Sequence, residues 1–290
     1  MSLGSGVSSF DLGGLTALVT GGSKGIGLAT AALFRDYGAR VVICGRSADV
    51  GEQAADTLGV EFVRADVSEP ADVEALLTAT GPLDILVNNA GPTDLLHSRD
   101  VDGPLGHIEP ANWARLINQT LTSAYLPTRA ALAAMVERRR GSIVNISSIT
   151  AALVMPGFDA YATGKGGLEA MTRAVAAGYG HLGIRCNAIR VGAIAVDHGD
   201  GGRSRGVAPD TSPDAWRRAE PPSPGRVEDV AHAALFLASA AGGYVNGAVL
   251  PVDGGLGVRS LLAWQTPRPE MLTAPAREPK AVADRYPATP

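Results

Sequence analysis

Aromatic residues are scarce in this chain, with five Phe, six Tyr and three Trp among 290 residues. Any core must therefore be mostly aliphatic, and a hydrophobic content of 46% supplies enough of it for one large domain or two small ones. That content also excludes wholesale disorder. Cysteine is scarcer still. Cys44 and Cys186 lie far apart in apolar segments and read as buried thiols, not as a disulfide or a zinc site. The five histidines are scattered without metal-ligand spacing, so no metal is expected. No apolar run approaches the ~18 residues that a membrane span needs. No charged start, apolar run and cleavage site mark an export signal. The expectation is a cytoplasmic protein with no membrane partner. A basic block is missing too: 25 Lys and Arg stand against 29 Asp and Glu. Nucleic acid is accordingly not expected as a partner. The densest basic run, Arg138-Arg139-Arg140, reads as the solvated end of a helix.

Glycine is abundant, at 36 residues, about 12% of the chain against roughly 7% in average usage. No Gly-X-Y period accompanies it. After a Gly/Ser-rich arm over residues 1–11, short β-branched runs alternate with helical patterns. Strands are predicted at Leu15–Thr20, Arg40–Cys44, Val60–Val63, Leu83–Asn88, Gly141–Ser148, Ile184–Arg190 and Ala248–Val252. Helices are predicted at Ile26–Tyr37, Val50–Leu58, Ala71–Thr78, Asn112–Glu137, Ala160–Tyr179 and Val227–Ala238. Such alternation predicts an α/β fold, a doubly wound, mainly parallel seven-stranded sheet with helices on both faces. Residues 12–257 read as one domain. Two segments break the pattern: Ala195–Pro224, with five prolines from Pro209 onward, reads as a substrate loop. The proline-rich residues 258–290 read as an extension, a wrapping or disordered arm.

The glycines first acquire a chemical meaning at Thr20-Gly21-Gly22-Ser23-Lys24-Gly25-Ile26-Gly27. This run follows a predicted strand and opens a predicted helix. Small residues there let the backbone approach a phosphate, while the helix start offers free N–H donors and the positive end of its dipole. A chain that reads NAD usually carries Asp or Glu at the end of the second strand, bonded to the ribose 2′-hydroxyl. Here that position reads Cys44-Gly45-Arg46-Ser47. Arg46, with Lys24 from the glycine turn, suits a 2′-phosphate and favours NADP(H). Asp66, after the third strand, is placed to accept from the adenine amine.

Tyr161 and Lys165 stand at i, i+4 on one predicted helix face, within side-chain reach. An ammonium beside a phenol is expected to lower the phenol's pKa from ~10 and yield a usable acid/base. Ser148, at the end of a predicted strand, can polarise a carbonyl oxygen, and Ser147 points to the opposite face.

With these motifs the chain resembles the short-chain dehydrogenase/reductases over about residues 12–257. The resemblance rests on Thr20-Gly21-x-x-x-Gly25-x-Gly27, Asn88-Asn89-Ala90-Gly91, Ser148 thirteen residues before Tyr161, Tyr161-x-x-x-Lys165, and Val252-Asp253-Gly254-Gly255. It implies that Tyr161 exchanges the proton, Ser148 orients the substrate oxygen, and Lys165 holds the nicotinamide ribose. The implied cofactor contacts are Gly21, Ser23, Lys24, Gly25, Ile26 and Gly27 at the turn, and Arg46, Ser47, Asp66 and Val67 beyond it. Asn88, Ala90 and Gly91, the Tyr161–Lys165 pair, and Val191, Gly192 and Ile194 complete the implied set.

Two departures from the family pattern stand out. The family's catalytic Asn on the long helix aligns with Thr120, while Asn118 falls two residues early. Either the Thr120 hydroxyl substitutes in part, or a local irregularity of the helix rotates Asn118 inward. The family's Pro-Gly after the sixth strand reads Val191-Gly192, and Val196 stands where a threonine usually holds the carboxamide. The implied function is interconversion of a ketone and a secondary alcohol with NADP(H), the substrate lying between the Ala195–Pro224 loop and the Gly91–Glu109 segment. The alternative is a cofactor-binding sensor or scaffold without turnover. Relatives of this kind assemble as homotetramers or homodimers through their long helices, and Asn112–Glu137 is compatible with that.

Overall fold

Strands that are apolar at nearly every position must be covered on both faces, and helices from the crossover connections provide the cover. The computed structural model describes residues 8–92, 101–195 and 224–258. The first half runs β1 (Thr16–Thr20), α1 (Gly25–Asp36), β2 (Arg40–Gly45), α2 (Ala48–Leu58), β3 (Glu61–Arg64), α3 (Pro70–Thr80) and β4 (Ile85–Asn88). Then come α4 (Pro110–Ile117), a π-helical turn (Asn118–Thr122), α5 (Ser123–Arg138), β5 (Gly141–Ser148), α6 (Asp159–Tyr179) and β6 (Ile184–Val191). The last elements are β7 (Ile194–Ala195), β8 (Gly225–Arg226), α7 (Val227–Ala238) and β9 (Val249–Val252).

Seven strands pair in the order β3-β2-β1-β4-β5-β6-β9. Every pairing is parallel. The chain reverses direction across the sheet between β1 and β4, which opens a crevice at the strands' carboxyl ends. Alternate side chains divide between two cores. Val19, Ile43, Val87 and Ile189 pack with Ala31 and Phe34 of α1 and Leu235 of α7. Leu18, Val42, Leu86 and Ile143 pack with Leu76 of α3, Met135 of α5 and Val175 of α6. Cys44 and Cys186 are buried free thiols in the second core.

Four local features differ from the sequence expectations. The helix expected over Asn112–Glu137 is broken by the π turn, and Pro127 explains where regular winding resumes. Proline has no N–H for the Ser123 carbonyl, and its ring crowds that group. Hydroxyls serve the backbone in the disturbed stretch, Thr120 donating to the Leu116 carbonyl (2.6 Å) and Ser123 to that of Gln119 (2.8 Å). The Arg138–Arg140 run does close a helix, but it is not merely solvated. Arg138 and Arg140 both engage the buried carboxylate of Asp84, at 3.2 and 2.7 Å. Ser8–Asp11, at the end of the expected N-terminal arm, is docked: the Ala241 N–H donates to the Ser9 carbonyl. Lastly, β7 pairs with β8, Ile194 beside Gly225 and Ala195 beside Arg226. Residues 196–223, with Val196 and most of the expected substrate loop, lie outside the described residues, as do residues 1–7, 93–100 and 259–290.

Candidate active site

The turn between β1 and α1 is shaped by two glycines. Gly21 has φ +63°, in the left-handed region that favours glycine, and a Cβ there would meet the Ala90 backbone at 3.0 Å. At Gly27 a Cβ would fall 2.3 Å from the Gly21 carbonyl oxygen, so the first turn of α1 packs directly under the loop. Asn89 fastens this arrangement from the next strand, its amide donating to the carbonyls of Thr20 (2.9 Å) and Gly21 (3.1 Å). The Thr20 hydroxyl in turn accepts from the N–H groups of Asn89 and Ala90. Lys24 precedes α1 as its N-cap, and Gly25 opens the helix. Ser23 lies beside Gly45, and Ile26 packs into the core.

A hollow beside this turn is lined by Gly21, Cys44, Gly45, Arg46, Ala65, Asp66, Val67, Ser68, Ala90, Gly91, Gln119 and Ser123. It joins the ends of β1, β2, β3 and β4 with the π turn. Arg46, which lines it, is exposed, and so is the adjoining Ser47. Burial pushes the Cys44 thiol up to about 12, which leaves it unreactive. Asn88 does not line the hollow. Its side chain is buried and donates to Thr128 and Asn145 under the sheet's end. Val191 is buried, Gly192 donates to the Val252 carbonyl, and Ile194 belongs to β7.

At the end of β5, Ser148 Oγ accepts from both the N–H (3.2 Å) and the hydroxyl (3.0 Å) of Thr150. Its own proton is thereby left free to point elsewhere, and the Tyr161 phenol lies within its reach. Lys165 is buried one turn further along α6. Its Nζ donates to the Ile146 carbonyl at 2.7 Å and lies 5.7 Å from the centroid of the Tyr161 ring. The expected lowering of the phenol's pKa is not found in the protein without cofactor. Burial pushes Tyr161 up to about 12, and only the neighbouring Ser148 hydroxyl opposes it. Burial also pushes Lys165 down to about 8. Desolvation disfavours the charged form of each, so the two groups shift in opposite directions.

Thr120 is buried and faces α6. A Cβ at Gly164, between Tyr161 and Lys165, would lie 1.9 Å from its Oγ1. The hydroxyl proton is committed to Leu116. The irregular turn and an inward Thr120 thus occur together, whereas the sequence set them as alternatives. Asp102 was not legible as a site residue. Its carboxylate accepts from the N–H groups of Ala160 (3.1 Å) and Tyr161 (3.0 Å), capping the helix that carries the tyrosine. Asp159 answers by accepting from the Leu105 N–H. A carboxylate fifty-nine residues from its partner leaves no local signal.

A family model described as Enoyl-(Acyl carrier protein) reductase matches residues 21–257. The 3-oxoacyl-(acyl-carrier-protein) reductase FabG of Chlamydia trachomatis serovar D is 37% identical, over 83% of this chain and 96% of the relative. The gluconate 5-dehydrogenase of Gluconobacter oxydans is 35% identical, over 86% of this chain and 97% of the relative. Among solved structures, a gluconate 5-dehydrogenase from Burkholderia cenocepacia in complex with NADP and tartrate superposes with a TM-score of 0.76. It is 31% identical and covers 87% of this chain and 98% of its own. The chain belongs to the short-chain dehydrogenase/reductase family. It is an oxidoreductase of the class that works between CH–OH and C=O groups. The residues present fit a nicotinamide dinucleotide: a turn whose glycines leave no room for a Cβ, an exposed arginine just past β2, and a hollow that joins that turn to the ends of β2, β3 and β4. No group of side chains able to hold a metal occurs among the described residues, and none of their helices is long and apolar enough to cross a membrane.

Proposed function

We propose that this oxidoreductase interconverts a ketone and a secondary alcohol with NADP(H). The observation that carries the reading is the gathering of Ser148 and Tyr161 at the mouth of α6, the phenol within reach of the serine hydroxyl, with Lys165 buried behind them. NADPH, when bound, supplies the hydride. Ser148 holds the carbonyl oxygen, and Tyr161 gives that oxygen its proton. A phenol held near 12 is fully protonated at neutral pH, which suits it to donate. Thr150 fixes the direction of the Ser148 hydroxyl, and Asp102 fixes the backbone of Tyr161. Lys24 and Arg46 favour NADP(H) over NAD(H), and a bound NADP in the Burkholderia structure is consistent with that choice.

NADPH oxidation should be followed over 3-oxoacyl thioesters, keto-sugar acids and simple ketones, with an enoyl thioester alongside. Turnover of a carbonyl compound, lost by about 10²–10⁴-fold in Tyr161→Phe with NADPH binding kept, is the expected result. Reduction of the enoyl thioester alone would overturn it, because hydride would then add to the β-carbon of a conjugated C=C bond and not to a carbonyl carbon. The second reading, a cofactor-binding sensor, is favoured by the Thr120 hydroxyl being committed to Leu116. It predicts NADPH binding without turnover across the panel. A homodimer or homotetramer is part of the proposal. It is supported by a groove between α5 and α6 that contains the exposed Tyr125 and is lined also by Leu132, Val136 and Met171. A cytoplasmic setting completes it, in keeping with the two free thiols.

A further inference from the structure

We propose that Glu169 is a positioning residue for the reaction: through Arg190 and Ser147 it sets the register of α6 on the sheet, and with it the placement of Tyr161 and Lys165 against Ser148. This inference rests on the proposal that those three residues carry the chemistry. Glu169 lies one turn beyond Lys165 on α6 and is buried. Its carboxylate receives a fork from Arg190, Nε to Oε1 at 2.9 Å and Nη2 to Oε2 at 2.6 Å. The Ser147 hydroxyl donates a further bond, to Oε1 at 3.0 Å. Ser147 and Arg190 stand opposite each other on β5 and β6, so one carboxylate of α6 spans both strands.

The buried face of α6 is unusually polar for a helix packed on a sheet. Leu168 and Val175 lie on it, but so do Lys165, Glu169 and Thr172, at i, i+4 and i+7. Each of these polar groups bonds to the sheet. Lys165 donates to the Ile146 carbonyl, Glu169 accepts from Ser147 and Arg190, and Thr172 accepts from the Asn145 amide at 2.8 Å. Directional bonds resist the small slide that apolar contacts absorb. The other anion that attracts Arg190 is Asp253, whose oxygens already accept from the N–H groups of Gly255 (2.9 Å) and Gly257 (2.8 Å). The two-pronged acceptor for Arg190 is therefore Glu169. A buried ion pair gives little stability over well-packed apolar residues of the same volume, so stability does not account for this one. Its place does. Ser147 precedes Ser148 on β5, and Glu169 follows Lys165 by one turn, so a slide of α6 against β5 directly changes the spacing of Ser148 from the Tyr161–Lys165 pair. A misplacement of about 1 Å can cost roughly 10²-fold in rate.

The test compares kcat on the fastest carbonyl compound of the panel above, NADPH affinity by calorimetry and the melting temperature. Glu169→Gln keeps the volume and gives up the charged fork. Its kcat is expected to fall about 3- to 10-fold, with NADPH affinity within about twofold of wild type. Glu169→Met combined with Arg190→Met replaces the pair by apolar side chains. The melting temperature of this double variant is expected to lie within about 3 °C of wild type or above it, while kcat stays about 10- to 100-fold down. A purely structural pair gives a different result: kcat within about twofold of wild type wherever stability is kept, which overturns the proposal. An unchanged kcat in Glu169→Gln overturns it too, whether or not the double variant folds. Wild-type protein that reduces no carbonyl compound of the panel, or Tyr161→Phe as active as wild type, overturns the underlying proposal and this one with it.

Discussion

Lys165 carries a charge that the fold would be more stable without. Its ammonium is buried, bonded to the Ile146 carbonyl, and its pKa is lowered from 10.5 to about 8. Below about pH 8 the group is protonated in both the folded and the unfolded chain, and the full cost of burying the charge is present. Between about pH 8 and 10.5 the unfolded chain binds more protons, so stability rises with pH and the cost disappears. Tyr161 behaves oppositely. Its pKa is raised from 10.0 to about 12, so above pH 10 the unfolded chain ionises first and stability falls. Lys165→Met should therefore be more stable than wild type at pH 7, by about 2 kcal/mol once the lost hydrogen bond is counted. The gap should close between pH 8 and 10.5. Urea unfolding of both proteins across that range checks this, and a gap independent of pH would exclude burial of the charge as its source. The same variant should lose turnover, which fits a site held for chemistry at some expense of stability.

At the scale of elements, the site depends on how closely the π turn approaches α6. Gly164 leaves room for Thr120, and an added Cβ would lie 1.9 Å from Thr120 Oγ1. Gly164→Ala is expected to lower stability by about 1–3 kcal/mol through overpacking. It should also lower turnover, because Tyr161 and Lys165 flank the displaced turn. Thr120→Ala in the same chain should recover much of both losses, and a double-mutant cycle measures the coupling. Thr120→Val, which removes only the committed hydroxyl, should keep kcat within about twofold. A larger fall would mean that the hydroxyl serves the reaction beyond its bond to Leu116. This contact also marks where sequence reasoning stops. Strand runs, the glycine turn and the Tyr161–Lys165 spacing were legible because each depends on residues within one turn or one strand. The π turn was only half legible: the offset between Asn118 and the aligned position pointed to a disturbance, but Pro127 and the Gly164 contact decided its form. The Asp102 cap on Tyr161 and the place of Asn88 under the sheet were not legible, since both are set by partners more than thirty-five residues away.

For the whole molecule, chemistry and stability are assigned to opposite ends of the sheet. The site gathers at the carboxyl ends of the strands, while Asp84 lies just before β4 at the other end. Only 6% exposed, its carboxylate accepts from the Thr16 N–H at 2.9 Å and engages Arg138 and Arg140. Asp84 thereby ties the entries of β1 and β4 to the end of α5, segments that are distant in sequence. Removing the carboxylate leaves a half-buried N–H and two cations without their acceptor. Asp84→Ala should cost about 3 kcal/mol and, for a domain of this size, lower the melting temperature by roughly 6–12 °C. Arg140→Ala should cost under about 1 kcal/mol, because the Arg140 side chain is 59% exposed and its pair is screened by solvent. Neither substitution touches the hollow or the Ser148–Tyr161–Lys165 set. At temperatures where the variants stay folded, kcat and NADPH affinity should therefore match wild type. Chemical denaturation beside steady-state kinetics separates the two quantities. A fall in kcat in folded Asp84→Ala would show that strain at the sheet's far edge reaches α6, and that the two ends of the molecule are not independent.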